Sequence, residues 1–258
     1  MKNEINHPFK FILTTRFKVR LVKKLLKNEN TAKILDVGCG SGFILSQLDS
    51  IYDSAVGIDM SPEAIKFGQQ FTKAELKVGN AEKLKFNNDE FDCIISTDAI
   101  EHIPDDKAAM KEAYRVLKNS GCMIIYTPSE VGLLSNTSWA HLYHDSETSY
   151  LLDQRYYTID SLSKIAEESG FKIEYAGYHS VFFQEFFTQL FKWISSIMGK
   201  KYEHQAHIFR FTGSKLFGIY KWVLLPIIAL LVRLDELFFE TIFRGKVPGH
   251  RIVVKCRK

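Results

Sequence analysis

From Lys33 to Tyr178, short apolar runs rich in branched residues alternate with stretches of helical period, and this alternation limits the fold more than any other feature of the chain. "AKILDV" reads as a strand, followed by a glycine turn and a helix in "FILSQLDS". "SAVGID" is a second strand, after which Ser61 and Pro62 open a helix as N-cap and first helical residue. "ELKVGN" and "FDCIIST" are the third and fourth strands. "DDKAAMKEAYRVLK" sets Met110, Ala113, Tyr114 and Leu117 in one apolar stripe closed by "NSG", which predicts a helix. "CMIIYTP" is a fifth strand, "IDSLSKIAEESG" a helix ending at Gly170, "FKIEYAGY" a sixth strand and "HRIVVKCRK" the last. Runs this apolar need cover on both faces. The expected fold is therefore α/β, a Rossmann-like seven-stranded, mostly parallel sheet with helices on both faces. Two stretches break the rhythm, 129–157 and 181–246.

With 258 residues there is room for one large α/β domain and an appendage. The four cysteines, Cys39, Cys93, Cys122 and Cys256, lie far apart with no CxxC pair, as free thiols of a reducing compartment do. The basic N-terminal stretch lacks the uninterrupted apolar core and cleavage site of a signal peptide, so a cytoplasmic protein is expected. The net charge of +4 is unevenly spread: +7 over residues 1–33, −11 over 34–179 and +8 over 180–258. The C-terminal positive charges flank long apolar and aromatic runs, which favours anionic lipid headgroups over nucleic acid. A solvated basic face remains an alternative for the N-terminal segment.

In open parallel sheets ligands lie beyond the carboxyl ends of the strands. The first strand ends in "DVGCGSG", where Gly38, Gly40 and Gly42 let the backbone turn sharply and approach a ligand, directly after Asp36. Phe43 stands where the G-x-G-x-x-G fingerprint of dinucleotide sites needs its third glycine, so a nicotinamide oxidoreductase is disfavoured. Asp59 ends strand two, where a carboxylate can accept both hydroxyls of a ribose; the alternative is that it merely caps the following helix. "ILDVGCGSG", "VGIDMSPEAI", "VGNAEKLKF" and "FDCIISTDAIEHIPD", in that order and at these separations, resemble the four motifs of class I S-adenosylmethionine-dependent methyltransferases, from about Lys33 to Tyr178 and again at the final strand. The resemblance implies S-adenosyl-L-methionine as cofactor. Asp36 and the backbone of Gly38, Cys39, Gly40 and Gly42 would hold its amino-acid end, Asp59 the ribose, Met60 the adenine face, Asn80 and Ala81 the adenine edge, and Thr97 the methionine part. Asn80 departs from the aspartate usual in relatives, which removes a charge from the adenine contact. An upstream arginine, Arg16 or Arg20, would reach the cofactor carboxylate.

Methyl transfer from a sulfonium is an in-line displacement, so alignment and exclusion of water supply most of the acceleration. A hydroxyl acceptor must also lose its proton. Asp98, Glu101 and His102 share one face if "STDAIEHIPD" forms a helical turn, and His102, with its near-neutral pKa, is the candidate catalytic base. The same acid-x-x-Glu-His pattern resembles the ubiquinone-pathway O-methyltransferases, which implies a divalent metal as a further possibility for these three residues. Segment 129–157 is expected to be a lid shaping an apolar acceptor site, with aromatics Trp139, Tyr143, Tyr150, Tyr156 and Tyr157, His141 and His144, and with Tyr126 facing the same space.

"VFFQEFFTQLFKWISSIM", residues 181–198, gathers its aromatics on one side of a helix. The later run from Leu216 to Val232 is broken by Lys221 and Pro226 and falls short of the ~20 apolar residues of a membrane span. The strands before and after this excursion belong to one sheet, so a single crossing is impossible. The expectation is a monotopic, membrane-associating helical insertion at 181–246; the alternative is a homodimer interface. The domains expected are a basic helical segment at 1–32, a methyltransferase core at 33–180 plus 247–258, and this insertion. The function expected is methyl transfer to a hydrophobic, lipid-like acceptor, a prenylated quinone precursor or polyprenyl lipid, at the cytoplasmic face of a membrane. A soluble small-molecule methyltransferase and a non-catalytic cofactor-binding scaffold are the alternatives.

Overall fold

The structure, a computed structural model, describes residues 13–130, 155–179 and 251–258, with isolated positions between 222 and 249. Along the chain it runs α1 (Leu13–Leu26), β1 (Lys33–Val37), α2 (Phe43–Leu48), β2 (Ser54–Asp59), α3 (Pro62–Gly68), β3 (Glu75–Val78) and β4 (Phe91–Thr97). A short 3-10 turn (Ile100–His102), α4 (Asp106–Val116), β5 (Leu117–Pro128), α5 (Ile159–Glu168), β6 (Lys172–Tyr178) and β7 (Arg251–Arg257) follow. Among the described residues the strands form one seven-stranded sheet in the order β3-β2-β1-β4-β5-β7-β6. The neighbours from β3 to β5 pair in parallel, and β7 alone runs against them, between β5 and β6. The Rossmann-like, mostly parallel sheet expected from the alternation is the one found.

Successive residues of a strand point to opposite faces, and here each face has its own core. Leu35, Ile94, Ile125 and Val254 pack on one side with Met110 of α4 and Leu162 of α5. Ile34, Ile95 and Ile124, one position away, pack on the other with Leu45 of α2 and Val22 and Leu26 of α1. Helix α1 earns its place by this stripe: Phe17, Leu21, Val22 and Leu26 are buried, at ~1.5–3 kcal/mol for a fully buried large apolar side chain. Ser61 caps α3 through the amide of Ala64, with Pro62 in the first turn, as its sequence predicts. Helix α4 ends two residues earlier than expected. Leu117 is extended and opens β5, because a register shift in β4 between Phe91 and Cys93 lets it pair with Phe91; it is nevertheless fully buried.

Most of the expected lid and of the 181–246 insertion, and the first twelve residues, lie outside the described residues. Among the described residues, no helix is long and apolar enough to cross a membrane.

Candidate active site

Strand order reverses between β1 and β4, and the crevice beyond their carboxyl ends is where a doubly wound sheet binds its ligand. The glycine loop leaves β1 there. Gly38 has φ +74°, and a Cβ on it would stand 2.2 Å from Cβ of Ala99. Gly40, at φ +52°, has open space where its Cβ would be, which leaves the backbone approachable. The amides of Gly38 and Cys39 donate to the carbonyl of Ile58 at 2.8 and 2.9 Å. That of Gly40 donates to Asp59 Oδ2 at 2.7 Å, while Asp59 Oδ1 accepts from the amide of Ser61 at 2.9 Å. Asp59 thus ties the ends of β1 and β2 together, and the cap of α3 is Ser61. Each Asp59 oxygen retains a second acceptor site for a ligand hydroxyl.

Asp36 is 1% exposed, and neither of its oxygens has a hydrogen-bond partner. Burial first, then the charge of Asp59, raise its pKa to about 7, against the field of Lys18. A buried acid without a donor is costly, and the α-ammonium of an amino-acid ligand is the kind of group that removes the cost. This orphaned carboxyl beside an open glycine backbone fits the amino-acid end of S-adenosylmethionine. Cys39 is buried, and its thiol is pushed up by burial and by the charges of Asp36 and Asp59, so only its backbone is available to a ligand. Met60 is 68% exposed just beyond β2. Past β3, Asn80 accepts through Oδ1 from the amide of Glu82 at 2.8 Å, which shapes the loop that carries Ala81. Thr97 is buried at the end of β4.

The turn after β4 departs from expectation. Asp98 is in the left-handed region at φ +51° and precedes a single 3-10 turn, so Asp98, Glu101 and His102 do not line one face. Glu101 points inward: 1% exposed, it accepts from Thr127 Oγ1 at 2.9 Å through Oε2, and Oε1 has no partner. Burial and the charge of Asp98 raise its pKa to about 7. His102 is exposed, and its pKa is lowered by partial desolvation against the opposing pull of Asp98, which favours the neutral, proton-accepting imidazole. Asp98 already meets two cations, Lys18 Nζ at 2.5 Å on Oδ2 and Arg251 at 2.6 Å on Oδ1. Among the described residues no group of three acids, histidines or cysteines is placed to hold a metal ion. The residues of this turn do not fit a divalent metal.

Lys18 is the cation that α1 brings to the crevice; Arg16 and Arg20 are exposed, with the Arg20 guanidinium 5.1 Å from the ring centre of Phe17. Neither Lys18 nor Arg251 was among the residues expected from the sequence. Tyr126 is 3% exposed, packed among Leu21 and Val253, with the Arg251 guanidinium 5.7 Å from its ring centre. Of the expected lid aromatics, Tyr157 belongs to the core instead: it is 3% exposed and donates to Asp106 at 2.9 Å. Tyr156 is 55% exposed. Trp139, His141, Tyr143, His144 and Tyr150 lie outside the described residues. The two ends of that segment meet, since Ser129 bridges Tyr157 and the amide of Arg155 donates to the carbonyl of Glu101 at 3.0 Å. A groove of about 840 Å³ at the opposite end of the sheet is lined by Lys33, Lys73, Lys77 and Lys85. Three of these lysines are paired with Glu90, Asp49 and Glu75, so its charges are largely matched within the protein.

Residues 35–125 match the family model described as a methyltransferase domain. The chain is 37% identical over 116 residues to a ubiquinone biosynthesis O-methyltransferase of Pelagibacter ubique, a match that covers 43% of this chain and 47% of the relative. It is 31% identical over 135 residues to a ubiquinone/menaquinone biosynthesis C-methyltransferase of Geotalea daltonii, covering 48% and 56%. The chain thus spans about half the length of these curated relatives. In fold it is similar to the phosphoethanolamine N-methyltransferase 2 of Haemonchus contortus solved in complex with S-adenosyl-L-methionine, with a TM-score of 0.58 at 19% identity over 94% of this chain and 52% of that one. The glycine loop and the two strand-end acids lie inside residues 35–125, the part of the chain that matches a methyltransferase domain.

Proposed function

We propose that the protein transfers a methyl group from S-adenosylmethionine to a hydrophobic acceptor of the quinone-precursor or polyprenyl-lipid class, at a membrane surface. The observation that carries the reading is Asp36, a fully buried carboxyl with no donor of its own, beside a glycine loop that leaves open space at Gly40. Asp36 and the loop backbone would hold the amino-acid end of the cofactor, Asp59 the ribose, and Met60 with Asn80 and Ala81 the adenine. Bound there, the sulfonium supplies an electrophilic methyl group, and the chain's task is to align the acceptor and keep water out. His102, neutral near pH 7, would take the proton of a hydroxyl acceptor.

The acceptor class is supported by the two relatives, a ubiquinone biosynthesis O-methyltransferase and a ubiquinone/menaquinone biosynthesis C-methyltransferase. Membrane action is supported by the aromatic-rich insertion read from the sequence and by its described side chains, of which Trp222, Ile227, Leu230 and Leu237 are 52–74% exposed. Exposed apolar groups in one segment call for a covering phase.

Calorimetry with S-adenosylhomocysteine tests the cofactor site. The wild type is expected to bind it, and Asp59→Ala to bind ~100-fold more weakly, because a charged acceptor for two hydroxyls is lost. Unchanged affinity in the variant would reject this site.

A further inference from the structure

The carboxyl edge of the sheet carries a row of charges in spatial order: Asp59 at the end of β2, Asp36 at the end of β1, Lys18 from α1, Asp98 after β4, and Arg251 at the start of β7. The row has two unlike halves. The β2–β1 half is acidic, and it is the half the cofactor reading uses. The β4–β7 half holds two cations on one carboxylate, with Lys18 Nζ 2.5 Å and Arg251 2.6 Å from separate oxygens of Asp98. Arg251 reaches this edge because β7 is antiparallel: its first residue registers with Pro128, the last of β5.

These three side chains remain partly accessible, at 17% for Lys18, 27% for Asp98 and 26% for Arg251. The next acid, Glu101, is buried against Thr127, and burial favours its neutral form. Tyr126 lies beneath the guanidinium of Arg251 and walls the cluster with an apolar, polarisable surface. Among the described residues, two positive charges thus face one committed negative charge next to an aromatic wall, and a planar guanidinium is suited to a carboxylate or phenolate.

We infer that the β4–β7 end of the crevice binds an anionic oxygen group of an aromatic acceptor through Arg251 and Lys18, with Asp98 as the internal counter-ion that this group displaces. The inference rests on the methyltransferase reading, which places the cofactor over β1 and β2 and leaves this end for the acceptor. It adds that the acceptor has a charged pole as well as a greasy one. Asp98 is then a competitor held in place: its left-handed backbone keeps its carboxylate on the two cations until a better-placed anion arrives.

The test compares benzoate with its neutral isostere benzamide, by ligand-observed NMR in the presence of saturating S-adenosylhomocysteine. The wild type is expected to bind benzoate at least ~10-fold more tightly than benzamide. Arg251→Met should abolish that preference while leaving S-adenosylhomocysteine affinity unchanged, and Arg251→Lys should restore part of it. Asp98→Asn, which suits the left-handed backbone equally well, should strengthen benzoate binding several-fold with no effect on benzamide. Equal binding of the two probes by the wild type, or a preference that survives Arg251→Met, overturns the inference and leaves the cofactor site standing. A loss of S-adenosylhomocysteine affinity in Arg251→Met assigns the cation to the cofactor and also overturns it. A wild type that binds no S-adenosylhomocysteine defeats the methyltransferase reading and the inference together.

Discussion

Asp36 has an ordinary carboxyl pKa in the unfolded chain and one near 7 in the fold, where burial and Asp59 oppose its charge. The native state therefore holds a proton that the unfolded state releases, and this residue makes the unliganded protein lose stability as pH rises from about 4 to about 7, with no further change above. Asp36→Asn removes the penalty. The variant is expected to match the wild type in urea unfolding below pH 4 and to exceed it by roughly 2–4 kcal/mol above pH 8, while its affinity for S-adenosylhomocysteine falls. A gap in stability that does not open with pH would show that Asp36 is solvated. Residues of this kind were legible in the sequence because they sit on the glycine loop and at strand ends, where parallel sheets place ligands. Lys18 was not, since an amphipathic helix carrying four basic residues besides it does not announce which one faces the crevice. Arg251 carried a signal that was available: the first residue of an antiparallel final strand must fall at the carboxyl edge of its parallel neighbours.

The elements divide in the same way. Every strand and most helices could be read from periodicity, because a doubly covered sheet enforces apolar runs and amphipathic stripes along the whole length of each element. The exceptions are local backbone choices made by tertiary contacts, namely the early end of α4 at a β4 irregularity and the 3-10 turn after β4, whose form the sequence reading left conditional. That turn divides its two ionisable side chains, Glu101 inward and His102 outward. If His102 is the base, His102→Ala should lower turnover of a catechol acceptor by ~100-fold and flatten the acid limb of the pH–rate profile, at unchanged cofactor affinity. Full turnover in the variant would remove His102 from the chemistry and leave acceptor ionisation to its surroundings.

At the scale of the molecule, the sheet core and the 181–246 segment answer to separate tests. The core accounts for the sheet, the crevice and the domain match. The segment accounts for the basic, aromatic-rich part of a chain whose middle is acidic. Flotation with liposomes containing anionic lipid is expected to carry the full-length protein, and to fail for a chain in which 181–246 is replaced by a short Gly/Ser linker between β6 and β7. Unchanged flotation, or elution of the full-length protein as a stable dimer that does not float, would reassign the segment to an interface between copies.

Strand β7 fills the gap between β5 and β6 and brings Arg251 to Asp98, so the last strand of the sheet completes both the hydrogen-bonded ladder and the crevice. A polypeptide cut short by a premature stop before Arg251 would leave two raw strand edges facing one another and Asp98 without the guanidinium of Arg251. Such a fragment is a ready target for proteases and aggregation. A damaged message would therefore yield debris for disposal, because the sheet is contiguous only once its last strand has been made.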